Sequence, residues 1–179
     1  MANVSGGDRL AGVLNGMADR LSNASSVEVG FPAGSTEPDG TSTPMVAAIQ
    51  EFGAPRRGIP PRPFFRNMIA DHAKEWPPLV VALIKQTDYD AAKTLGLVGE
   101  VIETELKQSI ADTFDPPLSP LTLMLRGMRS QKQFSGMAFG ELIKIAKARV
   151  AAGDTNFSPS TKPLVDTGAM LANITSVVK

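Results

Sequence analysis

Apolar positions along this chain fall first into a helical rhythm. Leu10, Leu14, Met17 and Leu21 are spaced four, three and four apart, which places them on one stripe of a helix running from Asp8 to Leu21. Val27, Val29 and Phe31 then alternate with Glu28 and Gly30, the period of a half-buried strand. Residues 32–44, with Pro32, Gly34, Pro38, Asp39, Gly40 and Pro44, predict an exposed loop or loose hairpin. A short helix is expected to follow, capped by Thr43 with Pro44 at its first position and stopped by Gly53 after Phe52.

Four prolines between Ala54 and Pro63 fix φ and predict an extended, semi-rigid arm. Phe64 and Phe65 then open a helical spacing through Met68, Ile69, His72 and Trp76. It must kink or restart at Pro77 and Pro78. The most regular stretch lies between about Tyr89 and Thr113, where Leu95, Val98, Ile102, Leu106 and Ile110 mark a core helix. Pro116 and Pro117 end it and lead into a second irregular stretch. A further helix spans Phe139 to Ala151, stopped by Gly153, and the tail reads as a turn, a short helix and a β-prone end.

Composition narrows the classes. With 179 residues and 42% apolar content, one domain with a real core is the default. Lys+Arg and Asp+Glu both number 18, so no global field favours nucleic acid or an anionic membrane. No cysteine is present, which excludes disulfides, thiolate metal sites and thiol nucleophiles. Neither an N-terminal export signal nor a run of apolar residues long enough to span a bilayer is evident, so no membrane partner is expected.

The candidate chemistry is sparse. Asp166-Thr167-Gly168-Ala169 is the way a retroviral-type aspartic protease presents its catalytic carboxylate, but that chemistry needs two such groups sharing a proton, and this chain has one copy. The better reading is that Asp166 or Thr167, with Gly168, caps a short helix containing Met170 and Leu171. His72 is the only histidine, which rules out a multi-histidine metal site or a Ser-His-Asp triad elsewhere in the chain. Glu100 and Glu103 read as a solvated helix face, and Gly96 and Gly99 are too isolated for a phosphate loop. No catalytic group, cofactor or metal is assigned.

Arg56, Arg57, Arg62 and Arg66 form a local basic cluster beside Phe64, Phe65 and Trp76. Such a cluster fits phosphate contacts with stacked bases, or a protein interface built on Arg and aromatic anchors. Net neutrality favours the interface. Its candidate contact residues are Phe52, Arg56, Arg57, Ile59, Arg62, Pro63, Phe64, Phe65 and Arg66.

The segment Ile49-Gln-Glu-Phe-Gly, followed by Ile59-Pro-Pro-Arg-Pro-Phe-Phe-Arg66, resembles a signature of tailed-bacteriophage virion morphogenesis proteins, the small neck, tail-completion and minor tail proteins. A second block strengthens the resemblance: Phe114-Asp-Pro-Pro-Leu-Ser-Pro-Leu-Thr122, then Lys162-Pro-Leu-Val-Asp-Thr-Gly-Ala-Met-Leu171 and a β-prone end. The resemblance implies an α+β fold, with a small, mainly antiparallel sheet packed by long helices. It implies a ring subunit without catalysis, commonly hexameric, that joins or completes the tail at the neck. Its partners would be further copies and other neck, connector, tail-tube or sheath proteins, with passive contact to DNA in the channel. The loop 32–44 and the arm 54–66 would touch neighbours. Residues 126–161 depart from the family pattern as an insertion-like region.

Overall fold

In the computed structural model, residues 7–155 and 161–179 are described. The fold is α+β, mostly helical, with a small two-stranded antiparallel sheet. The helices among the described residues are α1 (Gly7–Leu21), α2 (Thr43–Phe52), α3 (Phe64–His72), α4 (Trp76–Gln86), α5 (Ala91–Asp112), α6 (Pro120–Arg129), α7 (Phe139–Ala151) and α8 (Ala169–Ala172). Strands β1 (Val27–Gly30) and β2 (Thr175–Val178) pair with Val27 opposite Val178 and Gly30 opposite Thr175. No helix among the described residues is long and apolar enough to cross a membrane. Where length alone favours one domain, the chain divides into two compact units, each assembled from segments far apart in sequence.

The first unit comprises residues up to 35, 64–109 and 173–179. Its spine is α5, whose Ala91, Thr94, Val98 and Leu106 turn inward on one side of the helix. Gly99 lies on the same helix against the sheet. A Cβ there would come within 2.8 Å of the Ser176 side chain and 2.9 Å of Val27 Cγ2, so glycine lets strand and helix approach closely. The start of α5 is capped twice. Asp90 Oδ1 accepts the Lys93 amide at 3.0 Å, and Asn23 Oδ1 accepts the Ala92 amide at 2.9 Å. The helix therefore begins at Ala91 and not at Tyr89, which with Asp88 adopts a left-handed conformation in the turn after α4.

The second unit comprises residues 36–63 and 110–172. Met124, Met128, Leu142 and Ala146 form its buried cluster, where α6 packs on α7. Helix α6 occupies part of what reads in sequence as an irregular stretch. Its signals are present but sit behind a run of prolines: Ser119 Oγ accepts the Thr122 amide at 3.2 Å, Pro120 opens the helix, and Leu121, Met124, Leu125 and Met128 form the apolar stripe. Helix α2 begins at Thr43, with Ser42 as its capping residue in place of the expected Thr43. The loop before it closes as a loose hairpin, Thr36 bridging Ser42 and the Glu37 amide donating to the Thr41 carbonyl at 2.8 Å. Of the insertion-like region 126–161, residues 156–160 lie outside the described residues, as do residues 1–6.

Candidate functional site

The Pro/Arg segment does not extend. After α2, Gly53 turns the chain at φ +76, and residues 54–59 fold back on themselves. The Ala54 amide donates to the Ile59 carbonyl at 2.8 Å and the Ile59 amide returns to the Ala54 carbonyl at 3.2 Å. Pro55–Arg57 form a single 3₁₀ turn, and Gly58 closes it in the left-handed region. A Cβ on Gly53 would meet the Pro61 nitrogen at 2.8 Å and the Ile59 carbonyl oxygen at 2.9 Å. Residues 54–59 of the expected arm are therefore a compact knob, and residues 60–63 run without regular secondary structure into α3. Local hydrogen bonds across the prolines outweigh the extended preference that Pro alone confers.

Arg62 is 3% exposed and turns inward. Its Nε donates to the Pro116 carbonyl at 2.8 Å, one terminal nitrogen to Gln50 Oε1 at 3.0 Å and the other to the Pro117 carbonyl at 3.4 Å. Its own amide donates to the Gln50 carbonyl at 2.7 Å. Prolines supply carbonyl acceptors without amide donors, and a guanidinium offers five donors in a fixed fork. One arginine thus joins the end of α2 to the Pro116-Pro117 segment. Burial first, and the charge of Arg126 second, push its pKa below the usual arginine value.

Arg126, on α6, makes a parallel clasp. It donates to the Lys162 and Pro163 carbonyls at 2.7 and 2.8 Å and pairs through Nε with Asp166 Oδ2 at 3.4 Å. Burial lowers its pKa, and Asp166 opposes that shift. Beside it lies a cleft of about 330 Å³ lined by charged groups of both signs, including Glu37, Asp39, Arg126, Arg129 and Asp166. Asp39 accepts the Thr41 amide at 3.0 Å, a bond that holds its pKa below the usual carboxylate value. Thr167 Oγ1 donates to Glu37 Oε2 at 3.1 Å and accepts the Ala169 amide at 3.1 Å. Its oxygen is therefore engaged in capping the start of α8. Of the two capping candidates Thr167 takes the role, Asp166 faces Arg126, and Gly168 supplies the positive φ, +79, that starts α8.

The predicted interface residues thus separate. Phe52, Arg56, Arg57 and Arg66 are exposed; Ile59, Pro63 and Phe65 are half-buried. Arg62 and Phe64, expected at the contact, are interior. Phe64 is 1% exposed, packs edge-on against Phe31 and Phe65 at 6.4 Å, and its carbonyl accepts Ser109 Oγ at 2.7 Å. The boundary between the two units falls between Pro63 and Phe64, so the segment is shared out and does not belong to one unit.

One cluster carries little sequence signal. His72 Nδ1 lies 3.3 Å from Glu75 Oε2 and 3.5 Å from Glu105 Oε1, while Glu105 Oε2 accepts Trp76 Nε1 at 2.8 Å. These three groups are close enough to hold a cation, and their hydrogen bonds already fasten the start of α4 to α5. Helix α1, by contrast, buries none of its side chains. Leu10, Leu14 and Leu21 of its apolar stripe are open to solvent, and Met17 is half-buried.

Compared with known proteins, the chain matches no family model, no curated protein and no solved structure.

Proposed function

We propose that this chain is a structural subunit of a tailed-phage virion, without a catalytic role, forming a ring at the neck or head-proximal end of the tail. The observation that carries the reading is the convergence of the signature segments. Arg62 ties Gln50 to Pro116-Pro117, Arg126 of α6 holds Lys162 to Asp166, and Gln50, Pro163 and Asp166 line one cleft of the second unit. Stretches that resemble the family signature, though far apart in sequence, are thereby parts of one scaffold. The open apolar stripe of α1 supports a subunit role, since contiguous exposed apolar surface marks interaction sites. The partners on this reading are further copies, in a hexameric ring, and the adjoining connector, tube or sheath proteins. A tail terminator or sheath-associated neck ring would use the same surfaces.

Mass measurement by light scattering, with projection symmetry from negative-stain images, tests the proposal. Closed rings are the expected result; a stable monomer at tens of micromolar overturns it. A nucleic-acid-binding role through Arg56, Arg57 and Arg66 predicts instead a binding constant that falls steeply with salt, with a slope of about 0.9 per phosphate contacted. Arg62, held inside the fold, cannot contribute to it.

A further inference from the structure

Among the described residues, unit one carries two open apolar features of opposite shape. The ridge is α1, where Leu10 is 62% and Leu14 55% exposed, with Val13 and Leu21 beside them. The groove lies between α4 and α5, walled by Leu79 and Leu83 on one side and Leu97 and Val101 on the other. No described residue of α1 lines that groove. From Leu10 to Leu21 the ridge runs about 16 Å along the helix, and the groove follows α5 for about two turns. Charge is complementary as well. Helical spacing sets Arg9 four residues before Val13, along one edge of the ridge, while Glu100 and Glu105 stand on the α5 wall of the groove.

We propose that α1 of one copy seats in the α4–α5 groove of the next copy of the same chain. The mode is helix-in-groove, with Leu10, Val13 and Leu14 as anchors and Arg9 facing Glu100. Ridge and groove are different surfaces of one chain, so the contact is head-to-tail and leaves a free ridge at one end and a free groove at the other. Such contacts close into rings when the rotation between copies permits. This inference rests on the ring reading above and names the surface that would build the ring.

The absence of cysteine makes the test direct. Leu14→Cys and Val101→Cys are made in separate full-length chains, mixed and oxidised mildly, and the disulfide-linked species are mapped by mass spectrometry. A mixed disulfide joining position 14 of one chain to position 101 of another is the expected product. Links only between two Leu14→Cys chains would show α1 pairing with itself and overturn the proposal. So would a double variant whose two cysteines join only within one chain, which would place α1 in its own groove. Charge reversal supplies a second readout: Arg9→Glu and Glu100→Arg should each weaken self-association at least tenfold, and together restore most of it. If the wild-type chain forms rings while no mixed link appears, the ring reading survives and this interface fails. If the wild-type chain stays monomeric, both fail.

Discussion

Arg62 and Leu14 occupy each other's expected places. The arginine, in a segment whose composition suggests an exposed docking arm, is buried and bonded to three oxygens; the leucine, on a stripe whose period suggests a core face, is open to solvent. Residue type sets what burial costs, but the neighbours set whether that cost is met. Around Arg62 two consecutive proline carbonyls and the Gln50 side-chain oxygen converge as acceptors, and one guanidinium satisfies all three. Around α1 no described element covers the leucines.

The largest effect should come from breaking the buried side of this contrast. Arg62→Ala removes three hydrogen bonds and leaves the Pro116 carbonyl and the Gln50 side-chain oxygen without their donor, with an expected cost of about 3 kcal/mol in urea unfolding. Arg62→Lys should recover only part of it, because an ammonium cannot span the fork. Full stability in Arg62→Ala would show that the clasp is incidental.

Gly53→Ala should follow closely, at about 2 kcal/mol or more, since it combines a positive φ with contacts under 3 Å to backbone atoms. Gly99→Ala, at about 1–3 kcal/mol, probes the same question in the other unit, where the obstacles are the Ser176 and Val27 side chains and φ is ordinary. Thermal unfolding of both variants ranks backbone strain against side-chain crowding. Equal losses would overturn that ranking.

Asp90 should give a smaller, pH-dependent signal. Its pKa is held down to about 2, first by the Lys93 amide and then by the Asn23 side chain, from the usual 3.8. A depressed carboxylate contributes stability that is fully present above about pH 4 and is lost as pH falls through about 2. Asp90→Asn keeps an acceptor but cannot titrate, so its Tm should fall less steeply than wild type between pH 4 and pH 2. Parallel profiles would remove Asp90 as the cause.

The smallest changes belong to the exposed side. Arg56→Ala with Arg57→Ala should shift stability by no more than about 0.5 kcal/mol, and Leu14→Asp by a similar amount in the monomer. A large loss in Leu14→Asp, measured at concentrations where the chain is monomeric, would mean that α1 is packed after all.

Much of the helix map is visible in local patterns. The stripe of α5, the stop at Gly153, the restart at Trp76 and the hairpin character of 32–44 all depend on neighbours within a few residues. Helix α6 is equally local in its signals, Ser119, Pro120 and the Leu121–Met128 stripe, but the adjoining prolines mask them. The candidate site is not legible in the same way. Arg62 meets Pro116 across 54 positions and Arg126 meets Lys162 across 36, distances over which periodicity and propensity are silent.

The sequence by itself determined where most helices begin and end, because capping, proline φ and glycine φ act through bonds one to four residues away. The tertiary structure alone decided which arginine turned inward, which glycine lay under a strand and which leucine stripe stayed open. Each of those outcomes depends on acceptors, walls or empty space supplied by distant parts of the chain, and burial is a property of that surrounding and not of the residue.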